Sequence, residues 1–162
     1  MSSKRVDDLR RELGREDQAY QAAVADFDAA AATALGVNLT DLRCLEILLR
    51  QETALPSQLS AKLGLTTGSV TAMLDRLEQQ GYLTRAPDPG DRRKVVVRAT
   101  AKSTQKVWVE IYQPLVDEGF ADIAHYTAAE LAIVRDFLRR GRQLHERHLD
   151  RVREMIPAKQ IR

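Results

Sequence analysis

The sequence predicts a mainly α-helical protein with one small β-hairpin. Apolar residues recur at helical spacing towards both ends of the chain, and a pattern of two short helices and two β-prone runs lies between them. Hydrophobic residues form 44% of the 162 residues, which is enough apolar surface to offset the entropy of ordering the chain and excludes disorder as its general state. This length suits one domain or two small lobes.

The N-terminal segment is predicted to be one long helix over residues 4–34. Such a helix cannot bury a heptad seam against itself, so it needs a partner helix from this chain or another. Gly36 ends the pattern, and Thr40 is the predicted N-cap of a second helix. The seam is formed by Val6, Leu13, Tyr20 and Phe27 with Leu9, Ala23 and Ala30, and the inward face of the second helix by Leu42, Leu45, Leu48 and Leu49.

Residues 55–80 carry the pattern of two short helices joined by a tight turn. Pro56 suits the first turn of a helix, Gly64 supplies the turn between the helices, and Thr66 is the predicted N-cap of the second helix. Gly81 then ends that helix. The spacing predicts a helix-turn-helix, with Leu59 and Leu63 inward in the first helix and Val70, Leu74 and Leu77 inward in the second.

Two β-prone runs come next, over residues 82–85 and 92–98, with Asp88-Pro89-Gly90-Asp91 between them. A Pro-Gly turn between such runs predicts a β-hairpin, and its returning arm is strongly basic. A hairpin placed directly after a helix-turn-helix is the wing of a winged-helix module. The sequence therefore predicts a winged helix-turn-helix lobe.

From Thr100 onward the chain is predicted to be helical again. Pro114 lies inside an apolar stripe and predicts a kink or a break there. Thr127 and Glu130 have the spacing of a capping box, which starts the last helix, and Pro157 marks its end. The stripe is Val107, Trp108, Ile111, Tyr112, Leu115 and Val116, and the last helix has a narrow seam of Leu131, Val134, Leu138, Gly141, His145, His148, Val152 and Met155.

Charge is distributed unevenly along the chain. The net charge is only +2, but residues 62–106 hold nine Lys and Arg against four Asp and Glu, a net of +5, which leaves −3 for the remainder. A basic centre in an acidic frame suggests a footprint for a polyanion. On charge alone, an ordinary solvated face remains an equal alternative.

Three parts of this central region resemble the MarR family of bacterial transcription regulators. They are Leu59 to Thr71 with its Leu63-Gly64-Leu65-Thr66-Thr67-Gly68-Ser69-Val70-Thr71 run, Leu74-Asp75-Arg76-Leu77-Glu78 leading to Gly81-Tyr82-Leu83 and Arg85, and Asp91-Arg92-Arg93. The order of elements resembles the family over roughly residues 5–155. Ser60 departs from it, since the family usually has Ala there, and Ala72 and Met73 stand where many relatives carry a long polar side chain.

The resemblance implies a DNA-binding winged helix-turn-helix domain over residues 37–100. Residues 1–36 and 101–162 would then form a helical dimerisation domain, and the protein would be a homodimer. Its partner would be double-stranded DNA with a pseudo-palindromic operator, whose half-sites lie about one helical turn (~10 bp) apart. Members of the family are often released from DNA by a small ligand or an oxidant.

The second helix of the helix-turn-helix is the predicted DNA-reading element. Its N-terminus presents free N–H groups and a partial positive charge, which favour a phosphate, and Gly68 lets the backbone approach the groove closely. We expect Arg76 to contact guanine or phosphate; the alternative is an ordinary capped turn with an exposed charge. The hydroxyls available to phosphates or base edges are those of Thr66, Thr67, Ser69 and Thr71, and the exposed line is predicted to be Ser69, Met73, Arg76 and Gln80.

In the wing, Arg93 is expected to enter a minor groove, where negative potential is concentrated. As the family motif implies, Asp91 would pair with Arg93 and hold its rotamer. Arg92 and Lys94 would contact phosphates. The alternative is a set of basic residues on a solvated loop tip.

Other candidate residues have plainer interpretations. Cys44, the single cysteine, cannot form an internal disulfide, and its place on an amphipathic helix favours core packing over a redox sensor. His145 and His148 share a helix face, but no third ligand has metal-site spacing and His125 lies in another segment, so we expect an interface role. Trp108 and Tyr112 are candidates for an effector pocket, with ordinary core aromatics as the alternative.

Several function classes are excluded by the sequence. No nucleophile elbow, phosphate-binding loop or Cys-x-x-Cys pair is present, so we expect no enzyme, no cofactor and no metal. No apolar run reaches the ~18 residues of a membrane span, and the N-terminus has no signal-like apolar core, which indicates a cytoplasmic protein. The favoured function is a repressor released by a small-molecule effector; a protein-interaction module without DNA binding, or an activator, are the alternatives.

Overall fold

The computed structural model describes residues 3–156; the predicted helix end at Pro157 lies outside that range. Seven α-helices, one π-helix and two strands are assigned there. In chain order they are α1 (Ser3–Leu35), α2 (Leu39–Gln51), α3 (Pro56–Leu63), α4 (Thr67–Gln79), β1 (Leu83–Pro87), β2 (Val95–Ala99), α5 (Ala101–Ser103), the π-helix (Thr104–Tyr112), α6 (Gln113–Ile123) and α7 (Ala128–Glu154). The mainly α-helical fold with a small β-hairpin is confirmed.

The chain divides into two compact units, residues 1–111 and 112–162. The predicted lobe over residues 37–100 lies wholly within the first unit, together with α1. Among residues 3–156, no single helix is long and apolar enough to span a membrane. Only α1 and α2 taken together have that length and apolar content, and the chain bends by 91° between them.

The core of the first unit lies between α2, α3 and α4. Burial of the apolar side chains of these three helices removes apolar area from water, which is the main stabilising contribution to the lobe. α1 adds only Ala31 and Ala32 to the buried set. The most deeply buried side chains are Leu42, Leu45 and Leu48 of α2, Leu59 of α3, and Val70, Leu74 and Leu77 of α4.

The start of α2 differs from the prediction. Asn38, not Thr40, is the N-cap, since its side chain accepts a hydrogen bond of 2.8 Å from the N–H of Asp41. Asn is a better cap than Thr, and its extended backbone here (φ −90°, ψ 168°) allows the cap geometry. Thr40 lies inside the first turn, so its predicted capping role is wrong.

The turn of the helix-turn-helix is held by its own residues. Gly64 ends α3 in the left-handed conformation (φ 65°), which only glycine adopts without strain. The hydroxyl of Ser60 donates a hydrogen bond of 2.6 Å to the carbonyl oxygen of Leu65 and so bridges the turn. A hydroxyl at position 60 therefore has a structural use that alanine could not supply.

The hairpin is antiparallel, with Leu83 opposite Ala99 and Pro87 opposite Val95. Ala54, in the loop before α3, forms a bridge to Val97 and adds a third short backbone pairing. Val96 and Val97 are buried, so the returning strand is anchored on the core while its basic N-terminal flank stays outside.

The predicted disturbance at Pro114 is present. A nine-residue π-helix over Thr104–Tyr112 directly precedes it, and Pro114 lies in the first turn of α6. Proline lacks an N–H and crowds the preceding turn, so a change of helix type before it is expected. In the second unit, the predicted capping box of Thr127 and Glu130 opens α7.

Candidate nucleic-acid interface

The N-terminus of α4 is exposed and capped as the sequence predicts. The Thr66 hydroxyl accepts from the N–H of Ser69 at 3.2 Å and lies 2.9 Å from the Ser69 hydroxyl. Thr67, Gly68 and Thr71 are also exposed. A Cβ placed on Gly68 would have no atom within 4 Å, so the bare backbone there faces open space. This end of α4 therefore offers hydroxyl groups, backbone and a positive helix end to a ligand.

Met73 is not part of the exposed line. Its side chain is 1% exposed and packs in the core between Val70 and Leu77. The physical reason is that the apolar face of α4 is wider than three residues, since positions 70, 73, 74 and 77 all face inward. The prediction that Met73 contacts DNA is therefore wrong.

Arg76 is half-exposed, but its guanidinium is engaged within the protein. Nη2 donates to Oδ1 of Asp41 at 2.8 Å and Nε to Oδ2 at 3.4 Å. These hydrogen bonds, and then the charge of Asp41, raise the pKa of Arg76. The sequence predicted Arg76 as a DNA contact, and its ion pair with Asp41 was not predicted.

The hairpin is tied to α4 by a second arginine. The Nε of Arg85 donates to Glu78 at 2.9 Å and its Nη1 lies 2.7 Å from Asp75, two carboxylates near the end of α4. The hydrogen bonds from Arg85 lower the pKa of Glu78. Arg85 thus fixes the direction in which the hairpin leaves the helix, and its charge is neutralised by these partners.

The wing turn is ordered by two aspartates. Asp88 accepts from the N–H groups of Gly90 (2.7 Å) and Asp91 (3.0 Å). Asp91 accepts from the backbone N–H of Arg93 at 3.1 Å and forms an ion pair with Lys94 at 3.5 Å. The predicted side-chain pair of Asp91 with Arg93 is wrong, because the short Asp91 side chain turns back onto the backbone in an Asx-type turn. Asp91 shapes the loop and leaves the Arg93 guanidinium outside it.

The exposed cations of the wing lie beside α4, the recognition helix of the lobe. Within residues 3–156, Arg92, Arg93 and Arg98 form no ion pair. A groove of about 460 Å³ is lined by both elements, with Thr67 and Thr71 from the helix and Lys94 from the wing. Hydroxyls and unpaired arginines are therefore combined on one lobe, an arrangement suited to phosphate contacts.

Asp41 is the partner that the sequence interpretation missed. It is spaced four residues before Leu45 and seven before Leu48, on the inward stripe of α2. A carboxylate on a buried stripe requires a counter-charge, so its position was a usable signal for an ion pair.

The remaining candidates lie away from this surface. Cys44 is fully buried, as predicted, and burial, followed by the charge of Asp41, raises the pKa of its thiol to about 12. Trp108 is 42% exposed on the π-helix and Tyr112 is that helix's last residue. His145 and His148 are exposed on α7, and among residues 3–156 no group of three or more His, Cys, Asp or Glu side chains could hold a metal ion.

Comparison with known proteins agrees with this geometry. The sequence profile of the MarR family matches residues 37–95. The uncharacterized HTH-type transcriptional regulator YcgE of Bacillus subtilis (strain 168) is 37% identical over 128 residues, covering 79% of this chain and 82% of that protein. The chain belongs to the MarR family.

Solved structures show the same fold. A MarR family protein from Bacillus stearothermophilus has a TM-score of 0.64 at 19% identity and covers 90% of this chain and 99% of that chain. NadR in complex with 4-hydroxyphenylacetate has a TM-score of 0.57 at 22% identity, covering 76% and 86%. MarR proteins are transcriptional regulators that bind DNA through a winged helix-turn-helix, and this is the function of the present chain.

Proposed function

We propose that this MarR protein is a homodimeric repressor that binds a pseudo-palindromic operator in double-stranded DNA and is released by a small-molecule effector. The observation that carries the proposal is that an exposed, hydroxyl-bearing helix N-terminus and the wing cations lie on one lobe, with Thr71 and Arg92 lining the same groove. Within residues 3–156, Arg92 and Arg93 form no ion pair. In this proposal the protein acts in the cytoplasm as a binding protein and not as an enzyme.

The recognition helix supplies the contacts in the major groove. Its N-terminal N–H groups and its hydroxyls would meet phosphates and base edges, and Gly68 would allow close approach of the backbone. The contacting residues in this proposal are Thr66, Thr67, Gly68, Ser69 and Thr71.

The wing supplies the contacts beside those of the recognition helix. Arg93 would enter the minor groove, and Arg92 and Lys94 would meet phosphates. Asp91 would act indirectly, since it holds the backbone of the loop that presents these cations. Because Arg92 and Arg93 form no ion pair within residues 3–156, their charge is available to DNA without breaking an existing contact.

Exposed apolar side chains support the dimer. In α1, Tyr20 is 64% exposed and Leu13 is 50% exposed, both on the seam that the heptad pattern predicts. In the second unit, Phe120 and Ile133 are 67% and 70% exposed. Monomeric proteins seldom expose so many large apolar groups, so a second copy is the proposed cover for both sets. Sedimentation should give twice the 18.2 kDa chain mass at micromolar concentration.

An effector is proposed by analogy. NadR, a relative in fold, is solved with 4-hydroxyphenylacetate. Trp108 and Tyr112 are the residues proposed to face such a ligand. Quenching of the fluorescence of Trp108, the single tryptophan, would report it in a screen of small aromatic acids.

Repression is separated from its alternatives by two assays. Reporter transcription with and without the protein gives the sign of regulation and distinguishes a repressor from an activator. A protein-interaction module would show no salt-dependent affinity for any duplex, whereas counterion release makes DNA affinity fall steeply with salt. Both assays use the full-length wild-type chain.

A further inference from the structure

We infer that Asp41 and Arg76 form a positioning pair, which sets the rotation of the recognition helix in the lobe, and that Arg76 does not itself read DNA. The inference rests on the proposed function, because it assigns a role to the helix that would enter the major groove. It replaces the expectation that Arg76 contacts guanine or phosphate.

The guanidinium of Arg76 is held by all three of its nitrogens. Nη2 and Nε donate to the two oxygens of Asp41, at 2.8 and 3.4 Å, and Nη1 donates to the carbonyl oxygen of Ala72 at 3.3 Å. A two-point contact between a planar guanidinium and a carboxylate fixes direction as well as distance. The side chain is therefore pinned to the flank of its own helix.

Asp41 cannot release Arg76 without cost. The residue is 3% exposed and lies in the first turn of α2, where the positive helix end also favours a negative charge. A buried carboxylate that loses its counter-charge is strongly destabilising. A contact from Arg76 to DNA would require that loss, whereas Arg92 and Arg93 have no ion pair to break within residues 3–156.

The pair is placed where it controls orientation. Apolar contacts are non-directional, and the core contacts of the recognition helix come from Val70, Met73, Leu74 and Leu77. Asp41 and Arg76 are 35 residues apart, and their contact joins the first turn of α2 to the last turn of the recognition helix. The rotation of the helix about its axis decides which hydroxyls face the groove, so a directional contact here acts on sequence discrimination.

The pair also has an electrostatic consequence. With its charge cancelled by Asp41, Arg76 contributes little to the positive potential of the lobe, so few counterions are released on its account. Replacing Asp41 and Arg76 together should then leave the salt dependence of DNA binding unchanged, because replacing only one of them uncovers the charge of the other. A phosphate-binding arginine behaves differently, because its removal lowers that slope by about one.

The test is a double-mutant cycle on the full-length chain. The variants are Asp41→Asn, Arg76→Gln and their combination. Arg50→Gln is the control, because the Arg50 side chain is 73% exposed and lies 3.9 Å from its partner. The wild type first selects a duplex from a randomised pool. Each variant is then titrated by fluorescence anisotropy against that duplex and a scrambled one across a salt series, and its thermal melting is followed by circular dichroism.

Each single variant should lose about tenfold in affinity for the selected duplex, with no further loss in the double variant. In the double variant, the affinity for the scrambled duplex and the salt slope should stay at wild-type values. Arg50→Gln should keep the wild-type affinity for the selected duplex. A purely structural role would lower the melting temperature and leave the affinity of the folded protein unchanged, which would overturn the inference.

Two other results would also overturn it. If the double variant weakens binding to both duplexes with a shallower salt slope, Arg76 contacts phosphate and the proposed function still stands. If the wild type selects no duplex, the proposed function fails and the positioning role fails with it. If a single unpaired charge prevents folding, the Asp41→Leu/Arg76→Met variant removes both charges and should show the same loss of selectivity.

Discussion

The Nε of Arg85 donates a hydrogen bond of 2.9 Å to Glu78. The two residues are seven positions apart, and their ion pair joins the first hairpin strand to the recognition helix. The backbone N–H of Arg85 also donates to Glu78, at 3.1 Å. One carboxylate therefore holds both the side chain and the backbone of the first hairpin strand. The hairpin carries the wing cations, so this contact helps to place them relative to the helix.

This contact makes stability depend on acid pH. The hydrogen bonds from Arg85 lower the pKa of Glu78 below its ordinary value of 4.5. The stabilisation is present above pH 4.5 and is lost as the pH falls through the folded-state pKa. Because both side chains are partly exposed, we expect the contact to contribute less than about 1 kcal/mol to the free energy of unfolding. Urea unfolding from pH 3 to pH 7 should show a flatter acid decline for Glu78→Gln than for Glu118→Gln, an exposed glutamate without an ion pair within residues 3–156.

Substitution of Gly68 should change stability and DNA affinity in opposite directions. A Cβ at this position meets open space, so Gly68→Ala should stabilise the helix by about 0.5–1 kcal/mol. If the backbone approaches the groove closely, the same methyl group should weaken operator binding roughly tenfold. Chemical denaturation and anisotropy on the same variant measure the two effects. Unchanged affinity would remove Gly68 from the interface.

Met73 should behave as a core residue. Met73→Ala leaves a cavity and should cost about 2–5 kcal/mol of stability, whereas Met73→Leu keeps the volume and should cost less than about 1.5 kcal/mol. Operator affinity of Met73→Leu should equal that of the wild type. A marked loss of affinity with intact stability would return Met73 to the DNA-contacting set.

Cys44 should be chemically inert in the native protein. With its pKa raised to about 12, the thiol holds almost no thiolate at neutral pH, and burial excludes reagents. Labelling by a thiol reagent should be orders of magnitude slower in buffer than in denaturant, and peroxide should not change operator affinity. Native labelling at the rate of free cysteine would support a redox sensor instead.

Arg93 should contribute strongly to affinity. Arg93→Ala removes from the wing an exposed cation that forms no ion pair with the described residues. We expect roughly tenfold weaker operator binding with a salt slope smaller by about one. Arg10→Ala, which removes an exposed arginine from α1, is the control. The dimer should remain folded in both variants by circular dichroism. Wild-type affinity for Arg93→Ala would contradict the wing contacts.

Local patterns were enough to predict the helices, the turn and the hairpin of this fold. Pro56, Gly64 and Thr66 act through their immediate neighbours, so their effects can be recognised in a short window of sequence. The same holds for the capping box at Thr127. The N-cap of α2 was misplaced because Asn38 and Thr40 are both competent caps, and only backbone geometry selects between them.

The candidate site was less predictable because its decisive contacts join distant segments. The bond from Arg76 to Asp41 spans 35 residues, and helical periodicity alone did not reveal it. Val70, Leu74 and Leu77 alone predict an apolar face that leaves Met73 outside it, whereas in the structure Met73 is buried with them. The side chain of Asp91 had two possible partners two and three residues away, and loop geometry selected the backbone N–H of Arg93 and the ammonium of Lys94.

Sequence-specific DNA binding by this lobe underlies the roles of the recognition helix and the wing. Its most direct test is fluorescence anisotropy with the duplex upstream of the protein's own gene, beside a scrambled duplex of equal length, across a salt series. We expect tighter binding to the native duplex, with affinity falling steeply as salt rises. The absence of binding to either duplex, even at low salt, would contradict it and favour an interaction module that has kept the fold without the DNA.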